Sequence, residues 1–276
     1  MQDSGVQDSK ERPGKTWSDD EVADLRRRLD DDGYAVLRGV VSSAECDAFA
    51  AEVLDRYEKS DRFTGGGSFS GHLNCFPGRS SRVFYDALAA DGIIDAIRTL
   101  RPHQVDKVRA TLNFNLPNSV AQHYHTDGLY IEDFLICNIA VVDTVIFNGA
   151  IDVLPRTQRQ YWPFWKFATR RIGRGTTRLP MQRGDVLVRR STLWHRGMPN
   201  QSATARPMMS LTFGEKAAPD GDPFEVHDGK MFFYPNWFST SRLGQLREKT
   251  FVAAPISYSA FRFVKSLRGK PGLERW

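Results

Sequence analysis

The sequence predicts a mainly β fold: a jelly roll packed by N-terminal helices, with an aromatic and basic extension at its C-terminal end. Three observations predict it. A chain of 276 residues that is 41% hydrophobic and 12% aromatic can bury one large core, and nothing forces a second. Helical periodicity dominates before Pro102, whereas short alternating runs separated by turn residues dominate after it. From about residue 222 the texture changes again, and aromatic residues interleave with basic ones. The expected division is a disordered tail at 1–16, one domain at 17–221 and an extension at 222–276 packed on that domain.

The opening MQDSGVQDSKERPGK is polar and has no apolar segment of the kind a secretory signal needs. Ser18 reads as an N-cap, followed by Asp19, Asp20 and Glu21 in the first turn and by Val22, Leu25 and Leu29 at helical spacing up to Gly33. YAVLRGVV at 34–41 is a β-branched run and reads as a strand. Ser43 is expected to cap a second helix reaching about Ser60, with Cys46, Phe49, Ala50, Val53 and Leu54 as its buried stripe. The glycine- and serine-rich segment at 64–81 lacks the Gly-Lys-Ser/Thr ending of a phosphate loop and reads as a surface loop or lid. Helical signals return at 82–100. Strand-like runs follow at 108–116, 120–126, 134–142, 150–154, 185–195 and 206–213, with turn signals at Pro117-Asn118, Asn148-Gly149, Pro155 and Met198-Pro199-Asn200. One helix is expected at 161–171, where aromatics crowd. In the extension, SYSAFRFVKSL at 257–267 is expected to pack its aromatic face on the domain in preference to a membrane surface.

Charge is unevenly placed. Between 156 and 190 ten lysines and arginines face Asp185 alone, and between 242 and 275 eight face Glu248 and Glu274. Such patches attract anions. With no zinc-finger spacing and no single-strand binding module, nucleic acid is set aside in favour of two equal readings: a small molecule that is phosphorylated, carboxylated, or linked to coenzyme A or a carrier protein, or a plain solvated surface. Three cysteines without a paired spacing point to a reducing cytoplasm, which suits ferrous iron, and no run approaches the roughly 18 apolar residues of a membrane span.

The chemistry is carried by His125-Thr126-Asp127, the distant His195, and Arg206 eleven residues beyond it. On a strand, residues i and i+2 share a face, so His125 and Asp127 can reach one point while Thr126 turns away. Two histidines and one carboxylate on one face of an octahedron leave positions open for exchangeable ligands. In RPMMSLTF, alternation places Arg206, Met208, Ser210 and Thr212 on one face, and a buried guanidinium needs an anion such as the distal carboxylate of 2-oxoglutarate. Gln122, Ser210 and Thr212 are candidates to assist Arg206, and Asn113, His123 and Trp194 are candidates to line the pocket. Core packing explains Trp194 equally well. His123, two residues from His125, could support the carboxylate, touch substrate, or replace a ligand. His72, His103 and His227 read as ordinary surface histidines, and Asn200 as a turn former.

The chain resembles the phytanoyl-CoA dioxygenase family of iron(II)- and 2-oxoglutarate-dependent oxygenases over about 18–215. The pieces that carry the resemblance are DDDGYAVLRGVVSSAEC, QHYHTDG at 122–128, VVDTVIFNGAIDVLP, GDVLVRRSTLWHRGMPN and the Arg206 strand. It implies a double-stranded β-helix of cupin-like type, with Fe(II) held by His125, Asp127 and His195 and 2-oxoglutarate anchored by Arg206. It also implies the reaction: O2 and 2-oxoglutarate are consumed, succinate and CO2 are released, and an aliphatic C–H bond of a small molecule is hydroxylated. Since Asp127 is a carboxylate, no ligand position is vacated for chloride, and halogenation is not expected. Pro155-Arg156-Thr157-Gln158 departs from the Pro-Gly-Ser-His type of loop usual in the family. Two other readings of the triad are a zinc-dependent hydrolase or isomerase and a catalytically silent binding protein of the same fold.

Overall fold

The structure is a computed structural model that describes residues 14–60, 68–234 and 241–269. Most of the expected tail at 1–16 lies outside these residues, although Lys15 already donates its backbone N–H to Ala90 O.

The N-terminal half builds a helical layer. α1 (Asp19–Asp31) starts at Ser18 and α2 (Ser43–Lys59) at Ser42, each through a reciprocal capping box with the glutamate three residues on, Glu21 or Glu45. The expected cap Ser43 is therefore the first helical residue, because only Ser42 has a glutamate at the distance the box requires. Between them lies β1 (Tyr34–Leu37), and the helical signals at 82–100 resolve into α3 (Arg82–Ala90) and α4 (Ile93–Leu100). The break falls at Gly92, whose φ of 81° is left-handed and whose missing Cβ would sit 2.3 Å from Lys15 O.

The expected loop at 64–81 contains a strand, β2 (His72–Phe76), and 61–67 lies outside the described residues. The remaining strands are β3 (Val108–Asn115), β4 (Leu135–Ala140), β5 (Ile151–Val153), β6 (Thr177–Leu179), β7 (Val186–Arg190), β8 (His195–Arg196), β9 (Arg206–Phe213) and β10 (Phe232–Tyr234), with α5 (Phe164–Thr169) at the expected aromatic cluster. They form a seven-stranded antiparallel sheet, ordered β1-β7-β4-β9-β3-β2-β10, and a three-stranded one, β6-β5-β8. This is the jelly roll expected from the spacing of the runs. β2, β6 and β10 escaped the sequence reading because each is short, and β2 sits within a glycine- and serine-rich stretch.

The large sheet has two unlike faces. Leu112, Phe114, Cys137, Val188, Leu211 and Phe213 face the helices and merge with Leu25, Phe49, Phe84, Ile93 and Ile97 into the main core. Burial of this apolar surface is the principal stabilisation of the fold. The opposite face carries Asn113, Asn138, Arg189, Arg206 and Met208, which line a cavity inside the roll. Two expected strands differ. The 185–195 run breaks after Arg190, and 120–126 is extended but unladdered. Its hydrogen bonds pair Gln122 with Gly197, His125 with His195 and Asp127 with Ser191, so the register drifts along the segment and no regular ladder forms.

Trp194 belongs to the core. It is 2% exposed and stacks on Phe167 at 4.1 Å between ring centroids, within a cluster that includes Leu154, Trp162 and Phe164. Trp194→Ala is expected to cost about 3–5 kcal/mol of stability, read as a lowered denaturation midpoint.

At the C-terminal end, α6 (Arg242–Ala253) and α7 (Pro255–Leu267) form a hairpin. For 257–267, Tyr258 and Phe263 pack on the domain as expected, but two polar residues share that face and Phe261 does not. Tyr258, Arg262 and Ser266 turn inward, whereas Phe261 and Val264 stay exposed, at 52% and 59%. The reason is hydrogen bonding: Arg262 donates to Tyr124 O at 2.8 Å, and Ser266 accepts from the Trp165 backbone N–H at 2.8 Å. FFYPNWF at 232–238 lies partly outside the described residues. Cys46, Cys75 and Cys137 are buried and in no disulfide, and among the described residues no helix is long and apolar enough to cross a membrane.

Candidate metal and co-substrate site

Two histidines from separate segments are joined through their own backbones. The His125 N–H donates to His195 O at 2.9 Å and the His195 N–H to His125 O at 3.0 Å, an isolated antiparallel bridge. Their ring centroids lie 4.4 Å apart. Each Nδ1 is tied to a carbonyl two residues earlier, His125 to His123 O at 2.9 Å and His195 to Leu193 O at 3.0 Å. A carbonyl only accepts, so Nδ1 must carry the proton in both rings and Nε2 is left with its lone pair. Asp127, placed by its N–H to Ser191 O at 3.0 Å, puts one carboxylate oxygen 3.9 Å from His125 Nε2 and the other 3.5 Å from His195 Nε2. One donor atom from each of the three residues lies within 4.8 Å of the others, close enough for a single ion.

The electrostatics favour the ligating forms. Burial lowers both imidazoles below the usual histidine range, in His195 with further help from Arg189, so both are neutral donors at neutral pH. Burial alone would raise the Asp127 carboxyl. Arg189 outweighs that and holds it well below the usual carboxylate range.

Arg189 was read from the sequence only as part of a basic stretch. It is 4% exposed, pairs with Asp127 Oδ2 at 2.5 Å and donates to Asn138 Oδ1 at 2.7 Å. The signal that could have found it is a lone charged residue facing inward from an apolar strand. His72 was likewise read as a surface residue. It is 8% exposed on β2, lines the same cavity as the triad and contacts Val120 O through Nε2 at 2.7 Å. Burial pushes its pKa down to about 4. A histidine depressed in the folded state contributes stability that is complete above its unfolded pKa of about 6.5 and is lost as pH falls towards the folded value. His72→Gln is therefore expected to flatten the loss of stability between about pH 6.5 and 4, seen in denaturation midpoints across that window.

Arg206 lies across the cavity, which has a volume of about 160 Å³ and is also lined by Asn113, Asn115, Gln122 and Gly197. Its side chain is 6% exposed, Nη2 donates to Gly149 O at 3.3 Å, and Nε and Nη1 have no hydrogen-bond partner. Burial without an anion pushes the guanidinium down to about 10. Gln122 accepts from Gly197 N–H at 2.7 Å and so shapes the wall.

Other sequence candidates fall elsewhere. Ser210 shares Arg206's face as expected, but accepts from Asn113 at 3.0 Å and Asn138 at 2.6 Å, roughly 13 Å along the strand from Arg206. Thr212 is further still and lines a second cavity. Strand rise keeps both from sharing one carboxylate with Arg206. The His123 ring sits against Phe251 and Tyr258, at 5.5 and 5.2 Å between centroids, under the C-terminal hairpin and outside the ligand cluster. Trp194, as described above, is core and lines neither cavity. Asn200 forms its turn through Asn115 O and Thr204 O. In the divergent loop, Thr157 accepts from Trp194 N–H and Gln158 donates to Asp30 O, so these residues fasten α1 and β8 together.

Known structures share this architecture. The epimerase SnoN, solved with Fe3+, alpha ketoglutarate and nogalamycin RO, matches with a TM-score of 0.57 at 15% identity over 75% of this chain and 90% of that one. EctD from S. alaskensis, with 2-oxoglutarate and 5-hydroxyectoine, matches at 0.57 and 18% over 80% and 86%. HygX from Streptomyces hygroscopicus, with nickel, 2-oxoglutarate and hygromycin B, matches at 0.53 and 15% over 70% and 87%. At such identities the likeness is one of fold. Sequence carries the rest: residues 29–208, more than half of the chain and including the triad and Arg206 at the start of β9, match the model of the phytanoyl-CoA dioxygenase (PhyH) family, and the chain belongs to that family.

Proposed function

We propose that this protein is an Fe(II)- and 2-oxoglutarate-dependent dioxygenase that hydroxylates an aliphatic C–H bond of a small molecule, releasing succinate and CO2. The observation that carries the reading is Arg206. A buried guanidinium with two unpartnered nitrogens is costly, and it faces a cavity that also holds two neutral imidazoles and an ionised carboxylate. A dicarboxylate chelating an ion at the triad and reaching Arg206 with its far end would satisfy both ends of that cavity. The donor set fits iron: two imidazoles and one carboxylate with positions left open.

In this reading His125, Asp127 and His195 hold the ion, and Arg206 receives the distal carboxylate of 2-oxoglutarate as a charge-assisted pair. Gln122 keeps Gly197 in place beside the co-substrate, and Asn113 lines the wall between metal and substrate. Bound iron with 2-oxoglutarate and O2 supplies oxidative decarboxylation coupled to C–H oxidation. The chain contributes position, holding the ion and both ends of the co-substrate in fixed places. Support also comes from SnoN and HygX, whose structures hold a metal with the keto acid, although the names epimerase and carbocyclase among the similar structures show that this chemistry has more than one outcome. A zinc hydrolase on the same triad would leave Arg206 without a task.

The test is anaerobic titration of the iron-loaded protein with 2-oxoglutarate, followed by admission of O2 and measurement of succinate. Saturable binding and O2-dependent succinate are expected. Turnover that ignores both the keto acid and O2 would refute the assignment.

A further inference from the structure

Among the described residues, two cavities inside the roll meet at Asp127. The first, with His125, His195 and Arg206, is the one assigned above to metal and co-substrate. The second, of about 170 Å³, lies towards the other end of β9 and shares Asn74, Asn113, Asp127 and Arg189 with the first. Its further lining is Arg109, Thr111, Ser210, Thr212 and Glu215, with Phe134 and Ile136 as its apolar side chains. We propose that this chamber is the substrate subsite, and that Arg189 there receives the carboxylate of a small, polar substrate. The proposal rests on the dioxygenase reading for its division of labour between the two cavities.

Three observations carry it. The lining is dominated by amide, hydroxyl and charged groups, and a hydrocarbon chain seated there would strip them of water without replacing the lost hydrogen bonds. Arg189 is 4% exposed, and although Asp127 and Asn138 engage its Nη2 and Nε, its buried Nη1 has no hydrogen-bond partner. Arg109, by contrast, is engaged by Glu215 at 3.0 Å. Finally, the two cavities together hold three guanidiniums, Arg109, Arg189 and Arg206, against two carboxylates, Asp127 and Glu215. A divalent ion and a doubly charged keto acid cancel, so one positive charge remains beside the buried Arg189 and Arg206, and an anionic group on the substrate removes it.

The test loads the full chain with Zn(II), which prevents turnover, and with saturating 2-oxoglutarate. Calorimetry then measures three matched pairs: gluconate against gluconamide, proline against prolinamide, and hexanoate against hexanamide. At least one of the two polar acids is expected to bind about tenfold or more tightly than its amide, with hexanoate weaker than that acid. Arg189→Gln should bring the acid-to-amide ratio to about one, and Arg189→Lys should retain part of the preference. Thr212→Val leaves the Asp127–Arg189 pair untouched and should weaken the polar acid several-fold, so the idea stays testable even if Arg189→Gln folds poorly. Equal binding of acid and amide, hexanoate matching the polar acids, or no binding by any probe would overturn it. If the wild-type protein takes up no 2-oxoglutarate, the dioxygenase reading fails by itself, and the acid preference is still read with Zn(II) alone.

Discussion

Replacing Arg206 with methionine should move two measurements in opposite directions. Affinity for 2-oxoglutarate should fall by about 30-fold or more, since truncating one partner of a buried charge pair typically costs about 2–5 kcal/mol. The unliganded protein, however, should keep its stability or gain some. There Arg206 is a desolvated cation whose Nε and Nη1 bond to nothing, and methionine fills much of the same space without that penalty. The checks are a thermal denaturation curve without ligand and a titration with 2-oxoglutarate. Wild-type protein should also melt at a higher temperature as 2-oxoglutarate is added, whereas the variant should not respond over the same concentrations. A variant that loses stability and affinity together would make Arg206 a structural residue, and the dicarboxylate assignment would fail with it.

His195→Ala should abolish metal retention and succinate formation without unfolding the chain. The hydrogen bonds joining 195 to 125 are made by backbone atoms, which alanine keeps, so the segment stays in register. What disappears is one of three donors, leaving His125 and Asp127 with an ion they cannot hold against dialysis. The loss of turnover should exceed the roughly 10- to 100-fold that removal of an outer supporting group costs. Metal content by elemental analysis and succinate yield check this. Turnover that persists with iron in His195→Ala would place the ion elsewhere.

The parts of the molecule written as patterns were legible, and the parts written as meetings were not. β9 was read with its boundaries and its inward face correct, because eight residues alternate cleanly and Arg206 is the charged member of the row. Ser18 announced α1 as an N-cap followed by three acidic residues, and the structure closes a capping box with the last of them, Glu21. The gathering of His125, Asp127 and His195 was anticipated from their order together with the family resemblance. Arg189 and His72 were missed because what matters about them is a neighbour far away in sequence: Asp127 for one, the Val120 carbonyl for the other. Trp194, adjacent to His195, seemed equally able to face pocket or core. Neighbouring residues of extended chain point to opposite sides, and the structure sends Trp194 to Phe167 while His195 turns to the metal site. For α7 the aromatic part of the packing, Tyr258 and Phe263, was legible, whereas the share carried by Arg262 and Ser266 escaped a hydrophobicity argument.

The reciprocal bridge between the two imidazole-bearing residues has a consequence for which ion the protein ends up with. Because main-chain bonds set the spacing of the rings, the pincer is ready-made and does not wait for iron to shape it. Two imidazoles and one carboxylate follow the general affinity order of divalent transition ions, so nickel or copper would outcompete ferrous iron on affinity alone. Occupancy by the working ion therefore falls to supply: the enzyme takes what its surroundings offer in excess, and purification in the presence of nickel resin should leave it filled and inert.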